Sequence, residues 1–216
     1  MHVANNIFWK YVSKEFSDFF NEDIIEFGSF NVNGTIKDYF KNCKRYIGVD
    51  WRNGLCVDVV GLAHEVRFDL KAKAILSASM LEHDPYWQKS LDNMINHLKP
   101  DGILVLTWGV AKNGEHCLKE APDGKFYCLK AEKVINHLTS RNLKIYISVY
   151  DCELCNLIKD VKDLNRLKKL YIDEKNKWKS DGFGEFNLVA FNSSFADKLE
   201  GGFITELQDE DRIVMK

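Results

Sequence analysis

Apolar positions along this chain switch repeatedly between helical and strand spacing. Residues 5–20, NNIFWKYVSKEFSDFF, place Ile7, Phe8, Tyr11, Val12, Phe16, Phe19 and Phe20 on one helical stripe. DIIEFG (23–28) then reads as a short buried strand, and TIKDYFKNC (35–43) as a helix with Ile36, Tyr39 and Phe40 inward. RYIGVD (45–50), CVDVVG (56–61) and AKAILSAS (72–79) are the second, third and fourth strands. A helix over DPYWQKSLDNMINHLK (84–99) precedes PDGILVLTWG (100–109), which turns and becomes the fifth strand. KAEKVINHLTS (130–140) is a helix and LKIYISVYD (143–151) a strand. LIKDVKDLNRLKKLYIDEKNKW (157–178) is a long amphipathic helix, and EFNLVAFNS (185–193) the last strand.

Continuous apolar strands separated by helices predict a mostly parallel sheet covered on both faces. The last two strands alternate polar and apolar residues, which suits an antiparallel C-terminal edge. The expected fold class is α/β: a Rossmann-like, doubly wound, mostly parallel seven-stranded sheet with helices on both faces. One domain over 1–216 is expected. Within it, 1–22 form an N-terminal helix cap, 23–150 the core and 151–216 a C-terminal helix and edge strand.

Composition narrows the class. The 216 residues are 45% hydrophobic and 29% charged, which predicts a packed core rather than disorder. Net charge is -2 and the pI near 6.3, so nucleic acid held mainly through its phosphates is disfavoured. No apolar run is long enough to span a bilayer, and MHVANNIFWKYVSKEF lacks the pattern of a signal peptide. A cytoplasmic protein with no membrane contact is therefore expected, its six cysteines being free thiols. Cys152-x-x-Cys155 has only the distant Cys117 and Cys128 to complete a zinc site, so free thiols are preferred there too.

An open α/β sheet binds its ligand beyond the carboxyl ends of its strands, where the strand order reverses. The first loop, Gly28 to Gly34, lacks the G-x-G-x-x-G of dinucleotide sites. Asn31 and Asn33 nevertheless tolerate left-handed backbone, so a tight turn remains feasible. Asp50 ends the second strand 24 positions after Glu26, where an acid can accept hydrogen bonds from ribose hydroxyls.

The ordered set IIEFGS…NG, YIGVD, VDVVGLAHEVRF, AILSASMLEHDPYW and LKPDGILVLTWG resembles the class I S-adenosylmethionine-dependent methyltransferases over about residues 20 to 110. The resemblance implies S-adenosylmethionine as cofactor, with S-adenosylhomocysteine as product. It places Glu26, Gly28, Ser29 and Asn33 in the turn around the methionine part, and Asp50 at the ribose. Trp51, Ala63 and His64 fall on the adenine side, and Ser77 under the transfer site. The chain departs from the family in lacking the middle glycines and in carrying Leu62 where an adenine-contacting Asp is common. Only WRNGLC joins strands two and three, which predicts a reduced helix or an incomplete third strand.

Glu82, His83 and His116 are the candidate catalytic residues. Family branches that methylate ubiquinone precursors or small-RNA ends carry E-x-x-E-H followed by another histidine. Here Ser79 replaces the first glutamate. A divalent metal on these side chains is admitted but not favoured, and no metal ligands are assigned. Without metal, His83 or His116 is a candidate general base toward a hydroxyl. Tyr86, Trp87 and Trp108 are candidates to line an acceptor pocket. The expected activity is O-methylation of a small molecule or glycan. The alternatives are a metal-assisted RNA 2'-O-methyltransferase and a non-catalytic cofactor-binding partner subunit. The acceptor and the oligomeric state are not legible in the sequence.

Overall fold

The computed structural model describes residues 3–32, 34–111, 119, 121–127, 129–150, 183–196 and 204–205. Strands β1 (Asp23–Phe27), β2 (Arg45–Asp50), β3 (Val59–Val60), β4 (Ala72–Ala78) and β5 (Leu98–Ala111) are all parallel. β6 (Leu143–Tyr150) and β7 (Phe183–Asn192) follow, and β8 (Ile204–Thr205) adds a short parallel edge to β6. The order is β3-β2-β1-β4-β5-β7-β6-β8, with β7 antiparallel to both β5 and β6. The expected mostly parallel sheet with an antiparallel C-terminal part is present; the reversed strand lies inside the sheet. Strand order reverses between β1 and β4, which puts the topological switch point at their carboxyl ends.

The sheet is buried on both faces, which is why β1 and β4 read as continuous apolar runs. Side chains alternate between faces. Ile24, Leu76, Val105, Val189 and Phe191 point toward helix α1 (Val3–Glu15), whose Phe8, Trp9 and Val12 are fully buried. Ile25, Ile75, Leu104, Leu106 and Leu188 face α2 (Trp87–Asn96) and α3 (Ala131–Thr139). A short helix, α4 (Ser193–Ala196), follows β7.

Four expectations change in detail. The N-terminal helix stops at Glu15, and Ser17–Phe20 form a 3₁₀ turn that still buries Phe20. The helix expected over 35–43 shrinks to a 3₁₀ turn, Ile36–Tyr39, capped by the Thr35 hydroxyl, which accepts from Lys37 N at 3.1 Å. The third strand is only Val59–Val60, joined to β2 by a loop in place of a crossover helix. β5 begins at Leu98, before the expected turn at 100–102. The amphipathic stretch 157–178 and the Cys152-x-x-Cys155 pair lie outside the described residues; Cys43 and Cys56 are free thiols.

α1 and the 3₁₀ turn beside it are tied by the Tyr39 hydroxyl, which donates to Asn6 Oδ1 at 2.9 Å. Tyr39→Phe removes this bond without opening a cavity. It is expected to cost about 1 kcal/mol in a urea unfolding titration.

Candidate functional site

At the switch point the strand ends splay around an open cleft of about 1160 Å³, its solvent mouth included. Its walls combine the loops after β1, β2, β3 and β4 with Glu185 of β7.

The first wall is the loop whose glycines the sequence lacks. Gly28 has φ +84°, a left-handed conformation that favours glycine, and a Cβ there would stand 2.6 Å from Met80 Cβ. Its amide and that of Ser29 donate to Val49 O at 2.8 and 3.0 Å, folding the chain toward β2. Gly34, at φ +120°, donates to Asn31 Oδ1 at 2.8 Å. Among the described residues of this loop Gly28 and Gly34 supply the left-handed positions, and Asn31 braces the turn with its side chain. Asn33 lies outside the described residues.

Asp50 sits at the tip of β2 and is 7% exposed. Its Oδ2 accepts from Phe30 N at 3.3 Å, and its Oδ1 from Arg52 N at 2.9 Å. The Arg52 side chain closes the arrangement, with Nε 3.5 Å from the same Oδ1 and its guanidinium 4.2 Å above the Phe30 ring. A Cβ on Gly54 would fall 2.2 Å from that ring, and Asn31 N donates to Leu55 O at 3.1 Å. The β1 and β2 loops are therefore clasped around Phe30. Phe30 and Arg52 were not singled out in the sequence; an Arg two residues past an acid gives no signal until the fold brings Phe30 over it.

Glu26 is buried on the cleft floor and accepts from the Tyr46 hydroxyl at 2.7 Å. Burial pushes its carboxyl up from 4.5 to about 8, against the opposing pull of the Tyr46 bond. Tyr46 is raised well above 10.0 by its own burial and by the neighbouring Glu26. A carboxyl raised on folding stabilises fully below its unfolded value, and that stability is lost as pH rises through its folded value. Glu26→Gln keeps an acceptor for Tyr46 but cannot ionise. In thermal melts its stability relative to wild type is expected to climb between about pH 4.5 and pH 8 and then level off.

The opposite wall follows β4. Ser79 holds a left-handed backbone, φ +52°, unusual for a non-glycine residue. It is pinned by its amide to Thr107 O at 2.9 Å, and its Oγ accepts from Asn5 Nδ2 at 3.2 Å. Glu82 and His83 form the next turn, both nearly fully buried and both on the cleft wall. Glu82 Oε1 accepts from Gly109 N at 2.7 Å, and the His83 ring meets Phe126 edge-on at 5.6 Å. Glu82 is thus held by β5 backbone, a bracing role beside any chemical one. Glu185, 1% exposed, reaches the same wall from β7 and was missed in the sequence because 185–193 reads only as an edge strand.

The structure gathers Glu26, Gly28, Ser29, Asp50, Trp51 and Ala63 with Glu82 and His83 around one cleft. It does not bring His64 or Ser77 to the wall. His64 packs against Tyr86 in a tilted contact, centroids 4.4 Å apart, and Ser77 is fully buried one residue short of the lining Ala78 and Ser79. His116 lies outside the described residues. The three aromatic candidates for an acceptor pocket are placed elsewhere. Trp108 is core, its Nε1 donating to Leu129 O at 3.0 Å; Trp87 packs against the α2–α3 core; Tyr86 is half exposed. Among the described residues no three His, Cys, Asp or Glu side chains are grouped to hold a metal. No described helix is long and apolar enough to cross a membrane.

No protein-family model matches the sequence, and no curated protein matches it. Solved structures do. The O-methyltransferase of a trans-AT PKS multienzyme from Brevibacillus brevis, in complex with S-adenosyl-L-homocysteine, is 14% identical with a TM-score of 0.54, covering 88% of this chain and 76% of that one. Geranyl diphosphate C-methyltransferase from Streptomyces coelicolor A3(2), in complex with Mg2+, geranyl diphosphate and S-adenosyl-L-homocysteine, is 12% identical with a TM-score of 0.53, covering 83% and 79%. The [4+2]-cyclase SpnF is 16% identical with a TM-score of 0.52, covering 79% and 75%. Sheet order, antiparallel β7 and these likenesses together show that the chain has the fold of the class I S-adenosylmethionine-dependent methyltransferases.

Proposed function

We propose that the protein is a methyltransferase that binds S-adenosylmethionine in the switch-point cleft and methylates a hydroxyl of a small molecule or glycan in the cytoplasm. The observation that carries this reading is the gathering of carboxyl groups on the cleft walls. Among the described residues five carboxyl groups line it, Glu26, Asp50, Glu82, Asp84 and Glu185, against one guanidinium, Arg52. A ligand with a sulfonium and an ammonium fits such walls, because buried carboxylates need a cation or hydrogen-bond donors to remain charged.

The residues present fit the cofactor's parts. Gly28 keeps the floor clear of any Cβ, Asp50 is fixed to accept ribose hydroxyls, and Leu62 and Ala63 form the adenine side. Bound there, S-adenosylmethionine supplies a methyl group activated by positive sulfur. Glu26 faces the amino-acid part, and a cation beside it favours its ionised form. His83 is the imidazole on the wall suited to take the proton of an acceptor hydroxyl. Alignment of donor and acceptor in the cleft supplies the rest of the rate.

The same acidic lining disfavours an RNA acceptor, whose phosphates would meet the ionised members of that set. A cofactor-binding partner role without methyl transfer is the second reading; the likeness to a [4+2]-cyclase shows that this fold is not confined to methyltransferases. Incubation with methyl-labelled S-adenosylmethionine and an acceptor panel separates the two. Transfer of label with release of S-adenosylhomocysteine supports the enzyme; tight binding with no transfer to any hydroxyl or amine supports the partner.

A further inference from the structure

We propose that Asn93 of α2 and His97 at its C-terminal cap, two buried side chains that do not line the cleft, are positioning residues for its adenine-side wall; the inference rests on the cofactor reading above. The wall is the loop from Gly61 to Phe68, of which Gly61, Leu62 and Ala63 face the cleft. This loop has little structure of its own. Gly61 N donates to Asp50 O at 2.9 Å, and Glu65 N and Val66 N to Leu62 O at 2.8 and 3.1 Å.

Arg67 Nη1 donates to His64 O and Val66 O at 3.0 and 2.9 Å, and three further bonds to Ala63, Val66 and Phe68 come from α2 and its C-terminal cap. Asn93 Nδ2 donates to Ala63 O at 2.8 Å and to Val66 O at 2.7 Å, using both protons of one carboxamide. Phe68 N donates to His97 Nε2 at 3.0 Å, which makes that nitrogen the acceptor and leaves Nδ1–H to donate to Asn93 O at 2.8 Å. His97 O in turn accepts from Ala72 N at 2.8 Å at the start of β4. Asn93 and His97 are four residues apart, so they share one face of the helix. They interrupt the buried stripe that Leu91 and Met94 otherwise make. At 3% and 5% exposure, neither bond set can be replaced by bulk water. The helix therefore fixes Ala63 from behind, and the position of the adenine side depends on groups that never touch the ligand.

The test measures affinity for S-adenosylhomocysteine and for methylthioadenosine, which lacks the amino-acid part. Asn93→Leu keeps the side-chain bulk and removes both donors. It is expected to weaken both ligands by the same factor, about tenfold, and to speed amide hydrogen exchange at residues 65–68. Leu138→Ala, a core truncation in α3, is the control for general destabilisation and keeps wild-type affinity. His97→Leu weakens binding at least threefold, whereas His97→Gln, whose side-chain oxygen can accept from Phe68 N, restores it; this pair decides the matter if Asn93→Leu does not fold. Wild-type affinity in both leucine variants overturns the inference. If wild-type protein binds neither ligand, the cofactor reading itself is overturned.

Discussion

Asp50→Ala is expected to lower affinity for S-adenosylhomocysteine about a hundredfold while the protein remains folded. The reason is the number of bonds that meet at one buried carboxylate. Asp50 is held by Phe30 N and Arg52 N, so its lone pairs are already aimed when a ribose arrives. Hydrogen bonds to a charged group contribute about 1.5–3 kcal/mol each, and two ribose hydroxyls account for the loss. The substitution also leaves Arg52 beside Phe30 with no counter-ion. Asp50→Asn preserves the shape but replaces one acceptor by a donor, and should fall between alanine and wild type. Isothermal titration of the three proteins checks the order. Equal affinity in all three would remove Asp50 from the site.

Gly28→Val carries the second large effect, on both binding and stability. Its backbone sits at φ +84°, which a β-branched residue strongly disfavours, and the added Cβ would run into Met80 at 2.6 Å. Met80 lines the cleft, so relief of the clash moves the wall that the ligand touches. Strain and displacement together should cost about 3 kcal/mol of stability, read as a lower urea midpoint at unchanged slope. Ligand binding should become undetectable at concentrations that saturate wild type. Gly34→Ala is the informative comparison. Its left-handed backbone is similarly strained, but it is an exposed residue of the cleft lining, and its effect on stability should be smaller.

How far the sequence alone reaches can be judged residue by residue. The central strands were legible because burial on both faces leaves continuous apolar runs such as DIIEF and AKAILSA. The elements that shrank, Ile36–Tyr39 and Val59–Val60, lie in loops committed to the cleft, where chain direction is set by contacts distant in sequence. Phe30 illustrates the difficulty. Its backbone amide, its ring and its place against Gly54 are all fixed by the β2 loop, and no local pattern encodes that meeting. Glu26, Gly28 and Asp50 were legible because a turn and an acid at strand tips have a fixed spacing in an open α/β sheet. Glu185 was not, because β7 enters the sheet antiparallel between two earlier strands and brings its first residues to the cleft. Ser77 misses the wall because side chains alternate along a strand, and a shift of one residue exchanges the faces.

The clasp between the β1 and β2 loops also accounts for the missing glycines. Glycine-rich turns bring backbone close to a ligand by removing side chains. Here the chain keeps one glycine at the decisive position, Gly28, and Phe30 lines the cleft with its ring held under Arg52. The cleft remains open although the motif is degenerate.

The central claim is that this acid-walled cleft takes S-adenosylmethionine. Calorimetric titration of wild-type protein with S-adenosylhomocysteine at neutral pH tests it most directly. The account predicts one saturable site of about micromolar affinity, abolished in Gly28→Val and weakened about a hundredfold in Asp50→Ala. No binding at millimolar ligand, or binding that both substitutions leave unchanged, would contradict it.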